Sequence, residues 1–495
     1  MRFLRPEQRR PYRLLTKGFA GPALVLFLLL TVAFSFSAGL RASRGAAITG
    51  DEPFYLATTQ SLLHDGDLDL RNQYATHSYR SFFDHPQGLW TQAGPLPDGR
   101  MVSPHEPGLA VLLLPGFAAG GLRGAQLELA LIAAATFALA FVLAAKQTGQ
   151  RGLAWLVTGA VALAAPGFIY STEIYPEIPG AFCIVVALLV LRAAPGAGRG
   201  VWMLLLLSAL AWLSLKYVPL ALVIAAFACW SSTGRERVVL VAAGALSGAL
   251  YVWFHLAVFG ALTPYSTNLV YDGNSTATVL ESHFAFEDRS YRIWGLFIDR
   301  RFGIGRWAPI FLAVLPALPL TWRWARQGSL VVTLICAQIA MATYVAVTMM
   351  GWWFPGRMLI VVYPLFATVL TIVAARLPAP GRWTGAGLAL YSLAVTGALV
   401  HAARGGEVTI AVDPFALDSP LFRAPAQLFP QYTYWGTDTL VLNAAWLSAG
   451  IAALVLAAWS AFGPDLRARY LGGRQIRWRA PGVQTSAAGR GSDER

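Results

Sequence analysis

Twelve apolar stretches recur along this chain, near residues 18–40, 124–145, 152–170, 178–194, 201–215, 218–231, 237–258, 308–320, 330–350, 358–376, 384–402 and 439–461. Runs of that kind call for a hydrocarbon solvent. There every backbone N–H and C=O must be bonded within the segment itself, so the spanning form is the helix. Of the 495 residues 56% are hydrophobic and 13% charged, about half the charged share of an ordinary soluble chain. The expected fold is therefore an all-α polytopic membrane protein with about 12 transmembrane helices. Several stretches are short for an apolar layer of roughly 30 Å, so their ends are the least defined part of this reading.

Charge orients the spans. The segment before the first one carries Arg2, Arg5, Arg9, Arg10, Arg13 and Lys17, which holds the N-terminus in the cytoplasm. Twelve spans return the C-terminus to the same side. The turns then falling inside hold Lys146 and Arg151, Arg192 and Arg199, Arg235 and Arg237, Arg323 and Arg326, and Arg376 and Arg382. Each is basic, as the positive-inside rule requires. Counting Gly108–Gly121 as a further span would break that agreement, so it is expected as a half-inserted or juxtamembrane helix. The division that follows is a basic N-terminus (1–17), a membrane domain (18–461) and a polar Gly- and Arg-rich tail (462–495), expected to be disordered. The net charge of +13 gathers at the two ends, which suits anionic lipid at the cytoplasmic surface better than nucleic acid. Cys183, Cys229 and Cys336 lie far apart in apolar stretches, so neither a disulfide framework nor a thiolate metal site is supported.

The polar mass falls outside, in pieces 41–123, 259–307 and 403–438, with short turns at 171–177, around Lys216 and at 351–357. The large first outer loop opens with Asp51-Glu52-Pro53 directly after the first span. Pro53 suits the first turn of a helix, and Phe54 to Leu63 reads as a short amphipathic helix ended near Gly66. Other ionisable groups share that side: His105-Glu106, Glu173 and Glu177, Lys216, Asp299-Arg300-Arg301 with Arg306, and Arg357 in Trp-Trp-Phe-Pro-Gly-Arg. Charges at span ends are costly unless paired or facing an aqueous cavity, so their gathering at one level points to a site. Charges that merely snorkel into water are the competing account. The mixture has a chemical use. A carboxylate can take the proton of an acceptor hydroxyl attacking a sugar's anomeric carbon, while Arg and Lys hold the departing phosphate.

Other patterns carry less. Asp65-Gly66-Asp67-Leu68-Asp69 imitates the start of a calcium loop, but Leu70 and Thr76 stand where such a loop needs Gly and Glu. A helix C-cap followed by an extended segment fits it better. His105-Glu106 is no zincin helix, because Pro107 and Gly108 follow it. His64, His77, His85 and His105 share one loop, although their spacing alone does not make a metal site. Asn274-Ser275-Thr276 matches a glycosylation acceptor. Trp352, Trp353, Phe354, Tyr432, Tyr434 and Trp435 lie where interfacial aromatic belts occur.

The arrangement resembles the GT-C superfamily of polyprenyl-phosphate-dependent glycosyltransferases, in particular its protein O-mannosyltransferase and lipid A aminoarabinose transferase branch. The residues that carry the resemblance are Gly50-Asp51-Glu52-Pro53-Phe54-Tyr55-Leu56, the acidic turn Glu173 to Glu177, Lys216, Asp299-Arg300-Arg301-Phe302-Gly303 and Pro355-Gly356-Arg357. They cover about residues 18–360. The resemblance implies a GT-C-like fold whose large first extracytoplasmic loop carries juxtamembrane helices. It implies Asp51 as the base with its neighbour Glu52 as the other catalytic residue, a second acid at Glu173 or Glu177, and Lys216 as a phosphate contact. Substrate or phosphate binding is expected of His105, Glu106, Glu173, Glu177, Lys216, Arg300, Arg301 and Arg357. The sequence departs from the mannosyltransferase pattern at Ser103-Pro104-His105-Glu106-Pro107-Gly108, which replaces Lys-Pro-Pro, and the soluble domain some members carry is not expected. No metal ligand set is assigned; members of the superfamily differ in their use of a divalent cation.

Two functions compete. The first is a membrane glycosyltransferase, moving a hexose or pentose from a polyprenyl-phosphate donor to a glycan, lipid or protein acceptor outside a bacterial plasma membrane. The alternative is a transporter or flippase of a lipid-linked sugar. Transporters carry polar residues near the middle of their spans and are commonly built from repeats, and neither feature is evident here. Glu128 is the main exception. The expectation is the enzyme.

Overall fold

The computed structural model describes residues 17–269, 286–346, 348, 349 and 351–470. The basic segment before Lys17, the Asn274-Ser275-Thr276 triplet and the tail from 471 lie outside the described residues. The protein is an all-helical integral membrane protein. Among the described residues seven helical stretches are long and apolar enough to cross a membrane, and four shorter apolar helices of 10–17 residues join them.

The helices that carry the architecture are α1 (Lys17–Ser35), α2 (Glu52–His64), α3 (Gly108–Leu112), α4 (Leu114–Thr148), α5 (Arg151–Leu163), α6 (Glu177–Val190) and α7 (Ala197–Leu213). The second half follows with α8 (Val218–Trp230), α9 (Gly244–Phe259), α10 (Leu318–Trp324), α11 (Gly328–Ala340), α12 (Tyr363–Arg376), α13 (Ala379–Arg404) and α14 (Thr437–Tyr470). The 35-residue α4 is the spine, packed against α1, α5, α6 and α12. Burial grades outward from it. Four-fifths of the apolar window containing α12 is enclosed by protein, whereas none of that in α14 is. Exposed Leu440, Val441, Ile451 and Trp459 on α14 suit contact with lipid. The stretch 308–320 is broken up by Pro309, Pro316 and Pro319. Proline supplies no N–H to a helix interior, and the result is a 3₁₀ turn over Pro309–Ala313 followed by the seven-residue α10. A helix of that length reaches only about 10 Å.

Local chemistry explains the features nearest the outer end. Asp51 occupies the N-cap position of α2 with Pro53 in its first turn, and α2 stops where Gly66 turns left-handed (φ 75°). The N–H groups of Asp65 and Gly66 both donate to Ser61 O, which makes the Asp-Gly-Asp run a helix end. The segment 108–121 is no straight span. The first turns of α4 fold back at Gly120–Gly121, whose backbone leaves the helical region. Gly116 N then donates to Glu128 Oε2 at 2.9 Å. A Cβ on Gly124 would stand 1.9 Å from Gly116 O, so the hairpin closes only on glycine.

The three outer loops interlock. Gly94 N donates to Thr267 O and Leu269 N to Gln92 O, joining the first loop to the second. Ile410 N reaches Arg41 O, and Ala411 N and Val412 N reach Ala42 O, joining the first to the third. Asp299 joins the second to the third: its carboxylate accepts from the N–H groups of Arg301, Phe302 and Tyr432.

Candidate active site at one end of the helical bundle

α2 brings Asp51 to the rim of the bundle, and α6, the 3₁₀ turn Leu215–Tyr217 and the turn before α12 bring Glu177, Lys216 and Arg357 to the same point. Arg357 is the hub. Its Nη2 lies 2.8 Å from Asp51 Oδ2 and its Nε 3.0 Å from Glu177 Oε1. Lys216 Nζ lies 2.6 Å from the same Glu177 oxygen. The guanidinium is held between rings, 3.7 Å from the centroid of Tyr175 and 4.8 Å from that of Trp353. A planar cation clamped between aromatic faces keeps its fork aimed, which a lysine could not do. Gly356, left-handed at φ 91°, sets the turn that delivers Arg357.

The Asp51 side chain is one-fifth exposed and that of Lys216 somewhat less, while Arg357 and Glu177 are nearly inaccessible, so Asp51 is the most exposed member of the set. Burial alone would raise its pKa, but Arg357, His105 and Lys216 outweigh that and hold it down to about 2. His105 lies 3.7 Å from Asp51 Oδ1 and stacks on Tyr55. Its Nε2 bonds Gln92 Oε1 at 2.9 Å, and since that oxygen only accepts, the ring proton is on Nε2. Burial pushes the imidazole down to about 4, so it is neutral. Gln92 Nε2 also reaches Asp51 Oδ1 at 3.4 Å.

Glu52 points the other way. Its carboxylate accepts from Thr49 N at 2.9 Å and Ile174 N at 3.0 Å, tying the turn before α2 to the acidic turn 171–177. Burial pushes it up to about 7 in spite of those two bonds. Glu173, buried close by, is pushed up by burial and then by the charge of Glu52. Glu173 Oε2 and Glu177 Oε2 are buried oxygens with no hydrogen-bond partner among the described residues.

Glu106 accepts from Tyr251 O–H at 2.5 Å and lies 2.7 Å from His255 Nε2, both on α9. Its part is to anchor the 103–108 turn so that His105 faces Asp51. Gly108 allows that anchoring, since a Cβ there would lie 2.3 Å from Trp212 O. Arg300 and Arg301 are not drawn into the ion-pair chain. Arg300 Nε donates to Phe429 O at 2.9 Å, and Arg301 lies over the Phe415 ring at 4.4 Å. Phe302 instead lines a narrow cleft beside Arg357, together with Trp353 and Met349.

Gln92, Tyr55 and Tyr175 were not singled out by their residue type, and Trp353 was read only as part of an aromatic belt. Three of these sit inside the motifs that drew attention, beside Asp51, between Glu173 and Glu177, and beside Arg357. Gln92 had no such signal, because the backbone pairing with residues 267–269 is what positions it.

A metal would have to use Asp51, His105 and Gln92, and the donors do not fit one. The Arg357 guanidinium already sits on Asp51, and among the described residues no three His, Cys, Asp or Glu side chains converge. His77 bonds Tyr79 and His85 stacks on Phe83, so these two histidines are separately engaged.

No family model matches the chain, and no curated protein does. Among solved structures it is similar to crystal structures of ArnT from Cupriavidus metallidurans. For the form bound to undecaprenyl phosphate the TM-score is 0.48 at 15% identity, over 90% of this chain and 76% of that one. For the apo form the TM-score is 0.47 at 15% identity, over 91% and 79%.

Proposed function

We propose that the protein is a membrane glycosyltransferase that moves a sugar from a polyprenyl-phosphate donor to an acceptor hydroxyl on the extracytoplasmic face, with Asp51 as general base. The observation that carries this reading is the chain Asp51–Arg357–Glu177–Lys216, whose middle members are buried and whose two ends, Asp51 and Lys216, are partly exposed. The acceptor oxygen attacks the anomeric carbon and gives its proton to Asp51. The bond from that carbon to the phosphate oxygen breaks, and the phosphate leaves with the electron pair, held by Arg357 and Lys216. Glu173 or Glu177 orients the acceptor or a cation.

The resting ion pair gives the order of events. A carboxylate at about 2 is a weak base at neutral pH. A donor phosphate that engages Arg357 removes the partner holding Asp51 down, and burial then lifts the carboxylate toward a range where it can accept a proton. His105 and Gln92 keep Asp51 aimed while this happens. Transport is the less favoured reading, because the ionisable groups of the site sit at the ends of spans and not along them.

The test is transfer of radiolabelled sugar from a panel of polyprenyl-phosphate donors in membranes containing the intact protein or Asp51→Asn. Donor consumption by the intact protein, reduced by about 100-fold or more in the variant, is the expected outcome. Full turnover by Asp51→Asn removes the proposed base. No consumption by either, with a membrane extract as acceptor, removes the enzyme reading.

A further inference from the structure

Glu106, the residue after His105, fastens the 103–108 turn to the side of α9. Its Oε2 lies 2.7 Å from His255 Nε2, and its Oε1 accepts from Tyr251 O–H at 2.5 Å. The other ring nitrogen of His255, Nδ1, stands 2.7 Å from Tyr251 O. The imidazole and the carboxyl are both inaccessible, at 0% and 1% exposure.

These contacts fix a proton count. A backbone carbonyl only accepts, so Nδ1 of His255 carries a hydrogen. A neutral ring would then present the lone pair of Nε2 to Glu106, and a carboxylate would answer it with another. Two lone pairs 2.7 Å apart, in a place closed to water, repel each other without compensation. One proton on that line removes the conflict, whether it rides on Nε2 or on Oε2. Moving it between the two changes the charges and leaves the count at one.

The surroundings favour keeping that proton. Trp212 of α7 lies 5.9 Å from the imidazole, and Phe254 and Phe259 each lie 5.4 Å from it. Besides Tyr251, the titratable groups nearest the pair are His105 and Tyr265, whose rings meet at 6.4 Å. Arg100 touches α9 at Val258 O, 3.4 Å away, and pairs with Asp98 at 2.6 Å. Burial pushes the Glu106 carboxyl up, and a carboxylate left alone among aromatic rings would be costly. We propose that Glu106 and His255 hold one proton between them at neutral pH, and that through it His255 and Tyr251 act as positioning residues for His105 and hence for Asp51. The positioning role rests on the glycosyltransferase reading; the proton count does not.

Glu106→Gln separates the two. Its amide NH₂ donates to Nε2 while its oxygen still accepts from Tyr251, so both bonds are made without the shared proton. Unfolded, the two chains bind the same protons well above the ordinary Glu value of 4.5, whereas the folded intact protein holds one more. With the full chain in neutral detergent, the unfolding equilibrium should therefore move against the intact protein by about tenfold per pH unit relative to Glu106→Gln. The melting-temperature gap, intact minus variant, should fall steadily from about pH 6 to 8. Tyr251→Phe removes a bond but no proton of the pair, so its gap should stay level over that range. A level gap for Glu106→Gln overturns the shared proton. In the transfer assay Glu106→Ala and His255→Leu should each lose about tenfold or more, and Glu106→Gln should recover most of that loss. Glu106→Gln as inactive as Glu106→Ala would make the carboxylate itself the active group and overturn the positioning role. An intact protein that transfers no sugar removes the glycosyltransferase reading alone, because the melting gap decides the shared proton without turnover.

Discussion

The two polar ends of this bundle solve opposite problems with the same side chains. At the Asp51 end two cations and two anions are interleaved and almost wholly buried, so the set neutralises itself in a poorly solvated place. At the Arg192 end four cations, Lys146, Arg151, Arg192 and Arg326, stand around one cavity, with no carboxylate among the lining residues described. The first arrangement holds its charges tightly and releases them only to a competitor that also carries charge. The contrast teaches that a count of arginines per membrane face says little about role. What matters is which acids the fold places beside them.

The largest effect should come from breaking the hub. Arg357→Gln leaves Asp51 and Glu177 buried with only Lys216 to answer them, and removing one partner of a buried pair costs about 3–5 kcal/mol. Transfer should be lost, thermal unfolding should move to lower temperature, and Arg357→Lys should restore little of either, because one ammonium cannot bridge two carboxylates between Tyr175 and Trp353. Recovery of turnover in Arg357→Lys would show that the fork geometry does not matter.

Glu52→Gln should come next. One amide oxygen can replace one carboxylate oxygen, but the NH₂ group then faces a backbone N–H, at a cost of about 1–3 kcal/mol. The pH dependence carries a sign. A carboxyl raised in the folded state stabilises most below its unfolded pKa near 4.5, and that stability is lost as pH rises toward about 7. Melting temperatures recorded from pH 4.5 to 7 should fall with pH in the intact protein and slope less in Glu52→Gln. Asp51 acts in the opposite sense. Its contribution is present above its unfolded value of 3.8 and is lost as pH falls through about 2, so Asp51→Asn should flatten the acid limb of the same curve.

Gln92→Ala should be milder still, lowering transfer by about tenfold with little change in stability, because it loosens only the aim of Asp51 and His105. The smallest effect needs no mutation. Raising salt from 50 to 500 mM should leave the buried Asp51–Arg357 pair, and sugar transfer with it, almost untouched, since screening reaches exposed charges and not enclosed ones. Transfer that falls severalfold with salt would erase the distinction between an enclosed set of charges and an open one.

Much of this was legible in the sequence, and the reasons differ by region. Long apolar runs bounded by basic turns announce helices whatever they pack against, so α1, α4, α12 and α14 could be read directly. The run 308–320 could not, because its hydropathy says nothing of how three prolines partition it. Asp51, Glu177, Lys216 and Arg357 stood out as charges at span ends, and the fold draws all four together. Arg300 and Arg301 had the same signature, yet they serve the third outer loop, through Phe429 O and the Phe415 ring. Local sequence cannot tell which neighbour a loop cation will meet. Glu52 shows the same limit in reverse: adjacent to Asp51, it looked like a partner in chemistry, but the helix start turns its carboxylate back onto two backbone N–H groups.

The interlocked outer loops have a consequence for anyone wishing to redirect the protein. Asp51 takes its aim from Gln92, whose backbone is paired with residues 267–269, while the second loop is fastened through Asp299 to Tyr432 in the third. Grafting one loop from a donor of different specificity would bring its side chains without the seams that register them. Chimeras of this cap should therefore succeed only when all three loops are exchanged as a unit, and random recombination between them should yield mostly inactive progeny.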